Sequence, residues 1–563
     1  MKIRTKLLVV FLIATFGLLL AFNAFQGHII MQGQPLQPEL NLMTEETVLT
    51  WGPERQANTY TLNFQMGPEI AKFPDGSFVI VWVSTGQDSD GNGIYMTMFD
   101  AMGRNTTPEI RVNTYTASDQ DQPSVTGFSD GSFVVVWTSD GQDTNGLGIF
   151  MKVFDATGTA LSGDLQVNNY TANNQHYPDV CTLFNKTVAV VWASWQDADR
   201  FGVFLRLIDA STGTNLTGDI PVNTYTTNDQ GFPAVSTFPD GSFAITWASM
   251  GQDGDGYGVY AKLFNATGAN TTNEIRVSTY SAGYQYMSVV GAFPDYSFVV
   301  VWESSFQDGS QYGVFMKIFD PSGINKTNDI LVNTYTTDYQ WASAVSVLPK
   351  STFVVAWQST GQDGDQDGVF MKIFTDEGVN QTGDIQVNTN ITNNQGFPAV
   401  SAFSSNAFVV TWQSADQDGN ETGIFFKNCT IDQVPTALGS ADIAVTAGTI
   451  VYANWTLCDD IGPGFYRISA NLSGTFLPIS LWLPWTNNTP LIISVNTANV
   501  GLFVYRIEYN DSIGQMGIQN EILVQVLPSP PISGFGFLCV MLGLILMVTY
   551  AIRSKSHNFS DLV

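Results

Sequence analysis

One tryptophan returns seven times along this chain. It stands at Trp82, Trp137, Trp192, Trp247, Trp302, Trp357 and Trp412, each step 55 residues. A fixed period of this length restricts the chain to a repeat architecture, because each unit can bury its apolar face only against its neighbours. The unit around Trp247 predicts strands over 233–238, 243–248, 259–264 and 275–279. Pro239-Asp240-Gly241, an Asp/Gly loop and an Asn-Ala-Thr-Gly turn separate them. Four short strands at a period near 50 describe a propeller blade.

The phase of the copies tests whether the ring closes. The fourth-strand motif V-N-T-Y-T precedes the first Trp unit, as Ala57-Asn-Thr-Tyr-Thr, and is missing after the last. The segment 54–61 is therefore expected to complete the blade of Trp412, which leaves no free sheet edge. The predicted fold is all-β: a seven-bladed β-propeller of four-stranded blades over 51–428, closed by its N-terminal strand. Each Trp is expected between adjacent blades, where a buried indole covers about 150–250 Å².

The formal charge of −28 repels phosphate backbones and excludes nucleic acid as a partner. It suits divalent cations, basic partners or plain solubility. Of three histidines only His176 lies within the repeats, which leaves no room for a His-rich zinc site or histidine-dependent catalysis. The four cysteines show no C-x-x-C spacing. Cys429 and Cys458 can pair across a domain junction or stay apart, since sequence does not give their Cα separation.

Lys2, Arg4 and Lys6 precede an apolar run, so 1–25 is expected to be a signal peptide or signal anchor, followed by a short segment 26–50. Residues 532–552 carry no charge and, as a helix, reach roughly 31 Å, enough to span a bilayer core. Arg553 and Lys555 follow and place the tail 553–563 in the cytoplasm. A Pro-rich linker, 528–531, precedes the span. Fifteen N-x-S/T triplets before it agree with a glycosylated exterior, though an Asn/Thr-rich composition also produces them. Between 429 and 527 the period vanishes and short alternating strands predict an immunoglobulin-like sandwich with Trp455 and Tyr505 in its core.

Two kinds of loop fall on one face of the ring. The first reads D-x-[D/N/S]-x-x-G. Its best copies are Asp363, Asp365 and Asp367; Asp88, Asp90 and Asn92; and Asp253 and Asp255. Alternating oxygen ligands around a glycine bend are what Ca2+ requires. The same residues also make tight turns without metal, and no Glu stands at the twelfth position of an EF-hand. The second loop carries Gln65, Gln120, Gln175, Gln230, Gln285, Gln340 and Gln395, often followed by an aromatic such as Tyr177, Phe232, Tyr286, Trp341 or Phe397. Amides beside aromatics suit sugar binding and equally suit loop packing. No nucleophile–base pair and no arginine cluster is visible, and each loop Asp has counterparts in the sister copies, so no catalytic residue is assigned.

The unit VNTYTTNDQGFPAVSTFPDGSFAITWASMGQDGDGYGVYAKLF resembles a repeat of large secreted bacterial, archaeal and protist proteins. With the signal, the sequons, the sandwich and the anchor, the whole resembles archaeal cell-surface proteins, which implies a surface or adhesive role. The expected function is therefore a single-pass, membrane-anchored surface protein whose extracellular propeller binds a glycan or a neighbouring surface protein. The alternatives are a structural envelope component without a specific ligand and an extracellular hydrolase or lyase acting on glycans.

Overall fold

The computed structural model describes residues 49–528 except 198–199, 350–351, 405, 432–435, 460–462, 472–474, 513–514 and 518. The expected signal segment, most of the Pro-rich linker, the apolar span and the tail lie outside the described residues. Among the described residues there is no helix; strands form seven repeated antiparallel sheets and a two-sheet sandwich.

The Trp82 sheet runs Gln65–Lys72, Phe78–Thr85, Asn92–Phe99 and Ile110–Arg111, in that order from the inside out. The other six sheets repeat this order. The second and third strands are buried on both faces, which is why they read as continuous apolar runs and not as alternations. One face meets the next sheet and the other the previous one: Phe133, Val135 and Trp137 pack against Val79, Val81 and Val83. All seven tryptophans are fully buried in such seams, as their spacing predicts. The inner strand of each sheet packs against that of the next, and Gln395–Ser404 returns to pack on Gln65–Lys72. This cyclic order is a β-propeller arrangement.

The last sheet is completed from the N-terminus. Arg55–Gln56 pairs with Phe425 and Phe426, where the phase of the repeat places it. Leu49–Trp51 adds a stretch that the repeat does not announce, against Cys429, Thr430 and Ile431. The third strand of this sheet, Thr422–Ile431, therefore runs past the expected boundary at 428. Cys429 is a free thiol buried in the seam, so the Cys429–Cys458 bridge is not made.

The fourth strands are shorter than expected. Ile110–Arg111 stops before the V-N-T-Y-T segment of its copy, which the sequence assigns to the strand. The reason lies in the asparagine. Val112 N–H still donates to Ile94 O, but Ile94 N–H donates to Asn113 Oδ1 instead of a backbone carbonyl. The side chain takes over the ladder and the main chain turns away.

A charged tie crosses each of six seams. Lys152 Nζ donates to Val112 O of the preceding sheet at 2.6 Å and pairs with Asp164 at 2.8 Å. Arg206, Lys317, Lys372 and Lys427 repeat the pattern with Asp219, Asp329, Asp384 and Glu54, and Lys262 reaches Val222 O. The acid also takes main-chain N–H groups: Asp164 accepts from Thr114 and Tyr115. At the closing seam the cation is missing. Thr97 occupies its place, fully buried and with its hydroxyl unpartnered, while Glu109 still accepts from Thr59 and Tyr60.

The second region packs a three-stranded sheet (Thr436–Gly439, Tyr452–Cys458, Pro490–Ser494) and a six-stranded sheet around one core. Trp455 and Tyr505 are buried in it, as expected, together with Trp485 and Tyr509, which the sequence did not single out. Trp455 Nε1 donates to Asn520 Oδ1 at 2.9 Å and Trp485 Nε1 to Asn510 O at 2.7 Å, so both indoles bury without losing a hydrogen bond.

Candidate ligand-binding cavity

Each inner strand begins at the recurring glutamine, and all seven glutamines are fully buried. Gln120 Nε2 donates to Ala117 O and Ser118 O, and its Oε1 accepts from Asn113 Nδ2. The glutamine therefore packs its own loop and offers nothing to a sugar. In the one copy where Ser278 replaces the asparagine, Gln285 Oε1 loses its donor.

Two residues beyond each glutamine the strand bulges. Gly67, Gln122, Tyr177, Phe232, Met287, Ala342 and Phe397 all have φ between 50° and 58°. Proline follows in five copies, at Pro68, Pro123, Pro178, Pro233 and Pro398, and cannot donate to the second strand. The left-handed backbone at six non-glycine positions costs about 1–3 kcal/mol each. Side-chain oxygens offset part of it. Gly67 N–H donates to Gln413, Tyr177 N–H to Gln122, Ala342 N–H to Glu303 and Phe397 N–H to Gln358, at 2.6–3.1 Å.

The bulges display their side chains into a cavity of about 710 Å³ ringed by all seven inner strands. Two aromatic pairs line it: Tyr177 with Phe232, ring centroids 4.6 Å apart, and Trp341 with Phe397, 5.3 Å apart. Four acids line it as well, Glu69, Asp121, Asp179 and Glu303, and among the described residues no Lys, Arg or His does. Glu303 is 1 % exposed, and burial pushes its carboxyl up to about 8. Its Oε1 accepts from Ala342 N–H, and its Oε2 has no partner. Asp179 accepts from Ser124 Oγ and from the N–H groups of Val180 and Val235, yet burial still raises its carboxyl above the ordinary range. Glu69 is open to the cavity; enclosure within the ring, and then the charge of Asp179, raise its carboxyl too.

These acids break the repeat, which the loop-by-loop sequence reading did not detect. Four residues past the glutamine the copies read Glu69, Ser124, Asp179, Ala234, Val289, Ala344 and Ala399. One residue past the tryptophan they read Val83, Thr138, Ala193, Ala248, Glu303, Gln358 and Gln413. Superimposing the copies column by column is the signal that finds them.

The Asp/Gly loops are tied by hydrogen bonds within the chain. Their first aspartate lies over the glycine five residues on: a Cβ built on Gly368 falls 2.5 Å from Asp363 Oδ2, and one on Gly93 falls 2.6 Å from Asp88 Oδ2. This packing accounts for a glycine there in all seven copies. Asp363 accepts from Asn388 Nδ2 and Asp365 N–H, Asp365 from Asn393 N–H, and Asp367 from Gln358 Nε2 and Thr360 Oγ1. The three carboxylates share none of these five donors. Asp90 braces Ser118 N–H and Asp255 braces Gly283 N–H in the adjoining loop. Asn92 is tied to Thr85 and Asp121, and Asp253 meets Arg276 at 3.3 Å. Among the described residues no three His, Cys, Asp or Glu side chains gather as a metal cluster. If these residues serve only as turns, the melting temperature should be the same in chelator and in millimolar calcium. A rise in calcium would show that these loops rearrange around the ion.

No family model matches the sequence, and no curated protein matches it. Similar solved structures include a protein of unknown function from Dyadobacter fermentans, at 10% identity over 68% of this chain and 99% of that one, TM-score 0.42. An α-L-arabinanase of Penicillium chrysogenum, complexed with arabinobiose, is similar at 12% identity over 67% and 98%, TM-score 0.38. An endo-arabinase of Bacteroides thetaiotaomicron is similar at 8% over 54% and 90%, TM-score 0.28. At these scores the likenesses carry no functional argument.

Proposed function

We propose that this chain is a membrane-anchored surface recognition protein. Its seven sheets are the blades of one closed propeller, its sandwich is an immunoglobulin-like stalk, and its ligand is a glycan or a projecting group of a neighbouring surface protein. The topology rests on the charged-then-apolar N-terminus and on the uncharged run 532–552 followed by Arg553 and Lys555. The observation that carries the binding role is the axial cavity, where strained bulges present Tyr177, Phe232, Trp341 and Phe397 to one space. Strain kept at a concave, aromatic-lined site is the usual mark of a binding surface. A glycan and surface-protein binding screen with the full chain tests this. The expected result is a ligand whose binding falls roughly tenfold or more in Trp341→Ala at unchanged melting temperature. Loss of no ligand in that variant overturns the cavity as the site.

A second reading, a glycan hydrolase, is favoured by Glu303. A carboxyl that keeps its proton near neutral pH, in a cavity that other carboxyls also line, is what a general acid needs. Release of reducing ends from a glycan panel, abolished by Glu303→Gln, supports it; binding without turnover removes it.

A further inference from the structure

We propose that the axial cavity recognises an ammonium group, so that its ligand is a small organic cation. This rests on the cavity being the binding site. Glu303 supplies the main argument. Its structural task, accepting the bulge N–H of the next sheet, is done equally well by an amide: Gln358 serves Phe397, and Gln413 serves Gly67. The fold therefore does not require a carboxylate at this place. The carboxyl group instead leaves Oε2 buried without a partner. Leaving a buried polar atom of this kind unmatched is unfavourable unless a ligand meets it.

The rest of the lining agrees in sign and in size. Glu69, Asp121 and Asp179 add acids, and no basic side chain balances them, which excludes an anionic ligand. The acids come from separate sheets and do not gather closely enough to hold a bare metal ion. A larger cation can span them. The rings of Tyr177, Phe232, Trp341 and Phe397 supply aromatic surface of the kind that attracts an ammonium group. The ammonium group can belong to a free amine or to an amino sugar, and the probes separate the two.

The test is calorimetry on the full-length protein in detergent micelles. Choline is compared with its uncharged isostere, in which carbon replaces the ammonium nitrogen, and glucosamine with glucose. The charged member of at least one pair is expected to bind, with its neutral counterpart roughly tenfold or more weaker. Glu303→Gln keeps the acceptor for Ala342 N–H, so it should melt like the wild type while losing roughly tenfold or more of that affinity. Choline does not titrate, so its affinity should rise as pH passes through about 8 and Glu303 ionises. Glu69, Asp121, Asp179 and Tyr177 share the cavity with it, and Tyr286, itself beside Tyr312 and Tyr339, feels its charge. Equal binding of charged and neutral partners, or no effect of Glu303→Gln, overturns the inference. If only a neutral oligosaccharide binds, and Trp341→Ala abolishes it, the cavity stands as the site and the cation does not. If nothing binds, both fall.

Discussion

Lys317→Met is expected to lower stability by about 3–5 kcal/mol, because it leaves a buried carboxylate without its cation. Lys317 is fully buried, meets Asp329 of its own sheet at 2.6 Å, and ties the seam to the preceding sheet through Val277 O. Burial alone would raise the Asp329 carboxyl; Lys317 and Thr279 hold it below its ordinary value. A depressed carboxylate contributes stability above the unfolded value near 3.9, and that contribution is lost as pH falls through the folded one. In the variant, the uncompensated Asp329 can instead take up a proton. Urea denaturation should therefore show a wide gap between variant and wild type at neutral pH and a narrow one in acid. A gap that does not change with pH would mean that the loss is one of packing and not of charge. The closing seam supplies the reverse experiment. Thr97→Lys puts a cation where Glu109 has none, within a seam whose six sisters hold one, and should raise the urea midpoint.

Deletion of residues 49–56 should do more damage than any single substitution. It removes Leu49–Trp51 and Arg55–Gln56 and exposes the edge of Thr422–Ile431. It also removes Trp51, which packs edge-on against Phe408 at 6.2 Å, and Glu54, the acid paired with Lys427. An open ring gains a free strand edge in the middle of an apolar seam, which is a template for association with other chains. The expected outcome is loss of cooperative melting with concentration-dependent aggregation. A synthetic peptide of residues 49–61 added in trans should restore melting, since strand addition uses the same main-chain bonds. A deletion protein that melts as the wild type would show that the ring does not depend on this closure.

Much of the architecture is written in local pattern. The 55-residue recurrence of tryptophan, the Pro-Asp-Gly turn and the displaced first copy of V-N-T-Y-T predict the strand order and the pairing of the N-terminus with the last sheet. The site is legible only in part. The Asp/Gly loops attract attention because alternating oxygens suit calcium, but Asp363 is used to pack over Gly368 and Asp365 to brace Asn393. The recurring glutamines look available for a ligand and are spent on their own loops. Glu69, Asp179 and Glu303 pass unnoticed because each is the single acid of its strand, away from the acid-rich loops.

The physical reason is the range over which each property is decided. Periodicity reports which residues occupy equivalent places, and equivalence along the chain is enough to fix a repeated sheet, its buried tryptophan and the strand that closes the last copy. What a carboxylate faces is decided by strands that are far apart in sequence. Gln395–Ser404 and Gln65–Lys72 become neighbours only when the ring closes, and only then do acids from the Trp82, Trp192 and Trp302 sheets share one cavity with aromatic side chains from other sheets.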